Sequence, residues 1–237
     1  FTRNFKKQIQ TMIIDAFRKI KIGYEEPYTL TPLSVPRYYA TSSPLADGVG
    51  VFGGSNNENF YDTVDFYDSN KSRLMLTPLS EAREALTSSP LADGVIVSGG
   101  AINGRVFDVS DFYDSNKIRS TLTPLTVARY RLTSSPLSSG VALFGGTGLI
   151  YPVDTVNFYD SDKTRSTLAR LSQSRGLATS SPLADGVIVS GGGTGENNKE
   201  SLNTSDFYNT DKVITTLQSL SVARRELTSS PLADGVI

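Results

Sequence analysis

The string Thr-Ser-Ser-Pro-Leu occurs five times in this 237-residue chain, with its proline at Pro44, Pro90, Pro136, Pro182 and Pro231. The intervals are 46, 46, 46 and 49 residues. A beat of this length confines the chain to architectures in which one supersecondary unit is copied and stacked, because a single such unit cannot bury its own apolar face. One copy reads Arg83-Glu-Ala-Leu-Thr-Ser-Ser-Pro-Leu-Ala-Asp-Gly-Val-Ile-Val-Ser-Gly-Gly, then a loop, then Asp111-Phe-Tyr-Asp-Ser and Leu122-Thr-Pro-Leu. Complete copies start near residues 37, 83, 129 and 175, and a further one starts near 224.

Inside a copy the signals are those of short strands. Val95, Ile96 and Val97 form a β-branched run between Ala-Asp-Gly and Gly-Gly, the composition of a buried strand bounded by turns. Asp93-Gly94 is expected to supply a positive φ, so that the segment from Leu86 to Ser89 folds back on this run as a hairpin. Val109–Tyr113 reads as a third strand, closed by Asp114-Ser-Asn-Lys, and Ile118–Leu122 as a fourth. Four antiparallel strands in about 46 residues match one propeller blade, whereas helical repeats of similar period need two long stretches of 3.6 periodicity, which this sequence lacks.

The order Arg, Ala-Asp-Gly-Val-Ile-Val-Ser-Gly-Gly, Phe-Tyr-Asp and a following Leu resembles the kelch repeat and its galactose-oxidase-like relatives, over Thr29 to Ile237. The family's tryptophan, six residues after the tyrosine of the Tyr-Asp pair, is replaced by Arg73, Arg119, Arg165 and Ile214. The resemblance implies an all-β fold: a kelch-type β-propeller of four-stranded antiparallel blades over residues 25–237, about five of them. Leu30-Thr-Pro-Leu33-Ser34 matches the fourth-strand segment, so the front of the chain can complete a blade with Leu227–Ile237. A five-bladed ring and a piece of a six- or seven-bladed parent both fit that pattern.

Residues 1–24 differ in kind. Phe5, Ile9, Met12, Ile13, Ala16, Phe17 and Ile20 form an apolar stripe opposite Lys6, Lys7, Gln10, Arg18 and Lys21, which predicts a short N-terminal amphipathic helix over residues 4–21. Such a helix can cover an exposed end of the repeat array, lie on an anionic membrane or fill a partner's groove. The alternation of Ile20, Ile22 and Tyr24 would also suit a degenerate strand.

Composition narrows the chemistry. The chain has no Cys and no His, which removes thiolate nucleophiles, Cys-ligated metal centres and the commonest general base. The copper site of galactose-oxidase-like propellers needs both residue types, so that chemistry is not carried over. Sialidase-type turns need a Trp, of which there is none. Plentiful carboxylates leave a glycosidase pair formally open, but no pair stands out by position. The expectation is therefore a chain that is not an enzyme, with no cofactor and no metal site. A net charge of −1 favours no nucleic acid, no run of about 18 apolar residues predicts a membrane span, and the missing cysteines fit a cytoplasmic location.

Two repeated features have framework readings. The double glycines from Gly53-Gly54 to Gly191-Gly192 lack a following Lys-Ser/Thr and a helix, so close strand approach explains them better than phosphate binding. Arg37, Arg83, Arg129, Arg175 and Arg224 recur in every copy, as expected of a hydrogen bond to carbonyls or to a repeated carboxylate such as Asp65 or Asp111 rather than of a ligand ring.

Function is expected in what varies. After each double glycine come Ser55–Asp62, Ala101–Asp108, Thr147–Asp154 and Gly193–Asn203, which share little. Phe60, Tyr61, Arg105, Phe107, Ile150, Tyr151, Asn197 and Lys199 in these loops are the candidate binding residues for a protein partner, with aromatic groups as anchors. A small-molecule ligand is left open, and a carbohydrate-binding or carbohydrate-active propeller with catalytic residues outside this segment is the alternative.

Overall fold

Each complete copy of the repeat folds as a four-stranded antiparallel sheet. In the computed structural model, which describes residues 29–232, 235 and 236, the first sheet contains β1 (Thr41–Leu45), β2 (Gly48–Phe52), β3 (Val64–Asp68) and β4 (Arg73–Met75). The second copy forms β5 (Thr87–Leu91), β6 (Gly94–Ser98), a loop hairpin of β7 (Ala101–Ile102) and β8 (Arg105–Val106), then β9 (Ser110–Tyr113) and β10 (Arg119–Leu122). The third has β11 (Thr133–Leu137), β12 (Gly140–Phe144), β13 (Val156–Tyr159) and β14 (Arg165–Thr167). The fourth has β15 (Thr179–Leu183), β16 (Gly186–Ser190), a loop pair β17 (Gly193–Thr194) and β18 (Glu200–Ser201), β19 (Ser205–Asn209) and β20 (Ile214–Leu217). In all four sheets the strands lie in sequence order, and β21 (Pro231–Leu232) and β22 (Gly235–Val236) pair as the next hairpin.

These sheets lie within Pro32–Ile237, a compact unit distinct from Phe1–Thr31. The helix expected over residues 4–21 falls outside the described residues. Among the described residues, a short 3-10 turn at Glu196–Asn198 is helical, and no helix is long and apolar enough to cross a membrane. The repeated sheets are consistent with a β-propeller-like arrangement.

The first turn of each sheet departs from expectation in one respect. The positive φ sits on Ala46, Ala92 and Ser138, at 50°, 51° and 51°, and not on the glycine after the Asp. Gly94 is required for space: a Cβ there would stand 2.0 Å from the Tyr113 carbonyl oxygen and 2.6 Å from the Phe112 ring. The hairpin and strand positions otherwise follow the sequence pattern, with Thr87 opposite Ser98 and Leu91 opposite Gly94.

In the second and third sheets both faces of the second strand are buried, which is why these runs are continuously apolar rather than alternating. Val95 and Val97 pack with Phe52, Phe66 and Leu79 of the first copy, while Ile96 packs with Val141, Leu143 and Tyr159 of the third. A third apolar layer, including Phe144, Phe158, Val187 and Tyr208, joins sheets three and four. The core is thus a series of layers between successive sheets.

Polar links tie the same neighbours together. The last tyrosine of the third strand donates to a backbone carbonyl of the preceding copy: Tyr113 to Thr77 at 2.8 Å, Tyr159 to Thr123 at 2.6 Å, Tyr208 to Ala169 at 2.8 Å. First strands of successive sheets share hydroxyl contacts, Thr41–Ser88 at 2.8 Å, then Thr87–Ser134, Thr133–Ser180 and Thr179–Ser229 at 2.7 Å each. At the far turns Lys117 lies 3.0 Å from Asp47 and 4.7 Å from the Phe66 ring centre, and Lys163 repeats this with Asp93 and Phe112 at 3.2 and 4.2 Å. In the third sheet Ser138-Ser139 replace the Ala-Asp of this turn; Lys212 still covers Phe158 at 4.0 Å, and Ser138 Oγ donates to the Thr210 carbonyl.

Candidate functional site

The framework arginine side chain of each of the four complete copies is buried within its own sheet, whereas Arg224 is exposed. Arg83 donates to Asp111 at 2.9 Å with both side chains inaccessible, and Arg37 and Arg175 pair in the same way with Asp65 and Asp206. Asp111 also accepts from Arg119 at 3.0 Å and from the Ser80 hydroxyl at 3.0 Å, so its lone pairs are well used. Arg73 approaches Asp65 likewise, at 3.7 Å, which gives the arginines at the family's tryptophan position a carboxylate to meet. Burial lowers the guanidinium pKa of Arg37 and Arg175 against the opposing pull of the carboxylates.

The backbone of that arginine receives the preceding copy. The second glycine of each pair donates to it across the sheet boundary: Gly54 to the Arg83 carbonyl at 2.9 Å, Gly100 to Arg129 at 3.0 Å, Gly146 to Arg175 at 2.8 Å and Gly192 to Arg224 at 2.9 Å. All eight glycines have positive φ, and a Cβ on Gly53 would lie 2.7 Å from the Arg83 oxygen. The double glycine is therefore a joint between sheets.

With the arginine fixed on its buried side and at its carbonyl, the next two residues are presented at the end of the sheets where β2 leaves and β3 begins. They read Tyr38-Tyr39, Glu84-Ala85, Tyr130-Arg131, Gly176-Leu177 and Arg225-Glu226. The first of each pair from sheets one to four bridges to the residue after the double glycine: Tyr38 to Ser55, Glu84 to Ala101, Tyr130 to Thr147, Gly176 to Gly193. The second adopts a left-handed conformation, with φ of 52°, 52°, 54°, 57° and 56° at Tyr39, Ala85, Arg131, Leu177 and Glu226. Their amides form a relay from copy to copy: Ala85 donates to the Tyr39 carbonyl at 2.9 Å, Arg131 to Ala85 at 2.8 Å, Leu177 to Arg131 at 3.0 Å and Glu226 to Leu177 at 3.0 Å.

Variable pairs and variable loops thus share one end of the sheets, on a frame whose backbone joints recur from copy to copy. Sequence reasoning found the loops and missed the pairs, although the signal was present: between a constant Arg and a constant Thr-Ser-Ser-Pro-Leu, these two positions carry Tyr, Glu, Gly, Arg, Ala and Leu. Side-chain and backbone bonds cross between copies here. Ser55 Oγ donates to Glu84, Asn198 Nδ2 donates to Thr147 Oγ1 at 2.8 Å, and the Asn197 amide donates to the Ile150 carbonyl at 3.3 Å. Gly176 makes room for this joint, since a Cβ there would lie 2.3 Å from Thr147 Oγ1 and 2.6 Å from Asn198 Oδ1.

The expected binding residues divide by burial. Ile150, Tyr151, Arg105, Asn197 and Lys199 are exposed, and Tyr151 and Leu149 are 61% and 70% accessible. Phe60 and Tyr61 are half-buried, Tyr61 accepting from Asn56 at 2.7 Å. Phe107 is buried under the Arg105 guanidinium, 4.7 Å from its ring centre, and so belongs to the frame. Tyr38 and Tyr39 add exposed aromatic surface, set edge to face at 5.0 Å. Among the described residues no three Asp or Glu gather as a metal site would require. No protein-family model matches the chain, and no curated protein matches it.

Proposed function

We propose that this chain is a non-catalytic, kelch-type β-propeller module that binds a partner protein through one end of its sheets. The observation supporting this is the contrast just described: the frame repeats from copy to copy, while the two residues after each framework arginine and the loop beside them differ. Differences concentrated at one end give each copy a distinct contact surface while the joints between sheets are kept. Exposed Tyr38, Tyr39, Ile150 and Tyr151 provide stiff, largely apolar anchors of the kind that dominate interface energetics.

The test replaces all four loops and residue pairs with those of the second copy and measures thermal stability alongside recovery of a cross-linked partner. The expected result is loss of the partner with the melting temperature unchanged within a few degrees. Undiminished partner recovery by the uniform variant refutes the proposal.

A further inference from the structure

The outer strands of the four sheets differ at two positions. Arg119 and Arg165 are followed by Ser120-Thr121 and Ser166-Thr167, and Ile214 by Thr215-Thr216, but in β4 Arg73 is followed by Leu74-Met75. A strand at a sheet margin is usually kept polar, because its unpaired backbone is a template for another strand. Leu74 and Met75 are 50% and 60% accessible, so core packing does not account for them. Ile118 and Val213 are exposed as well, but each stands singly before its strand begins.

Pairing within the first sheet fixes which groups of β4 face outward. The Asp68 amide donates to the Ser72 carbonyl at 3.1 Å and the Leu76 amide to the Val64 carbonyl at 3.0 Å, so Ser72, Leu74 and Leu76 bond towards β3. The N–H and C=O groups of Arg73 and Met75 then point away from the sheet, where β4 has no neighbouring strand among the described residues. A second β4 running antiparallel satisfies them when a two-fold axis passes beside Leu74. Arg73 then exchanges two hydrogen bonds with Met75 of the second copy, Met75 exchanges two with Arg73, and the two leucines meet as a non-bonded pair. Leu74 is opposite Phe66 in the register and shares its face, so an apolar row runs from Phe66 through both leucines to the second Phe66. Charge favours the same register. Each Arg73 faces a methionine, and its guanidinium is drawn back to the Pro32 carbonyl at 2.6 Å and Asp65 at 3.7 Å. A slip of two residues would set Arg73 against Arg73.

We propose that this chain self-associates as a two-fold dimer through β4, which joins the first sheets of two copies into one continuous sheet. The contact uses none of the variable pairs or loops.

Sedimentation equilibrium of the 237-residue chain should show a mass that rises with concentration from 25.6 kDa towards twice that value. Leu74→Ser with Met75→Thr, which copies Ser120-Thr121 of the second sheet, should abolish the rise and leave the circular-dichroism spectrum and the melting temperature of the dilute protein unchanged. The chain has no Cys, so a single introduced thiol reports on the axis. Facing residues of a non-bonded antiparallel pair have Cα atoms about 4.5 Å apart, within disulfide reach, so Leu74→Cys should give a covalent dimer under a mild oxidant. Ser120→Cys, at the same place in the second sheet, and Met75→Cys, diagonal to its counterpart across the axis, should not. A monomer at every concentration, undiminished association of the double variant, or equal cross-linking through Leu74→Cys and Ser120→Cys overturns the proposal.

Discussion

Lys163 of the third copy lies 3.2 Å from Asp93 and 4.2 Å from the centre of the Phe112 ring, both in the second copy, so a single ammonium closes the sheet boundary at the end opposite the variable loops. Lys117 makes the same closure one boundary earlier. The two ends of the array therefore have different tasks, one carrying repeated clamps and the other carrying what differs.

The clamp at Asp47 predicts an acid response. Its bond to Lys117 holds the Asp47 carboxyl below the ordinary carboxylate range. A depressed folded pKa contributes stability above the unfolded value and loses it as pH falls through the folded one, so the loss belongs below about pH 4. A carboxyl titration followed by NMR should show the Asp47 midpoint rising to its ordinary position in Lys117→Met. An unchanged midpoint would deny the clamp.

The buried tyrosines predict an alkaline response of opposite sense. Burial raises Tyr113, Tyr159 and Tyr208 above the usual phenol value. Their contribution is intact below pH 10 and falls as pH rises above it, because the unfolded chain then ionises first. Absorbance of phenolate at high pH should show these three ionising only together with unfolding.

Truncating the buried carboxylate is the severest change expected in the frame. Asp111→Ala strands Arg83 without a counter-charge and should cost about 3–5 kcal/mol in urea unfolding. Asp111→Asn should cost less, since the third sheet folds with Asn157 in the same place.

Two glycines and one alanine separate space from backbone conformation. Gly94→Ala drives a methyl into the Tyr113 carbonyl and should destabilise by about 3 kcal/mol or more. Gly104→Ala meets nothing within 4 Å and should cost only about 1 kcal/mol, for its φ of 77°. Ala85→Gly should be neutral or stabilise by up to about 1 kcal/mol, because the relay holds that residue at 52°. Calorimetry on the three variants fixes the order.

The sheets were legible because repetition averages out local ambiguity: the run Val95–Val97 alone could be helix or strand, but four copies at one spacing, each ending in Gly-Gly, leave only the strand. The role of Arg83 was legible for the same reason, since a residue needed in every copy answers a need of the frame. What was not legible depends on contacts far apart in sequence. Gly94 looked like a turn residue, yet its constraint is the Tyr113 carbonyl on the third strand. Phe107 looked like a loop aromatic, and only the path of β7 and β8 shows it turned inward beneath Arg105. Asn157 carried a visible signal, an amide where three copies have a carboxylate, whose meaning required knowing that Arg129 faces it.

The relay through Tyr39, Ala85, Arg131, Leu177 and Glu226 makes the copies interchangeable as cassettes. Excising Arg83–Ala128 would bring the Arg131 amide to the Tyr39 carbonyl in place of Ala85, and duplicating that segment would insert one matched donor and acceptor together. Shuffling whole units by recombination would then recompose the variable end while the backbone relay at each junction stays complete.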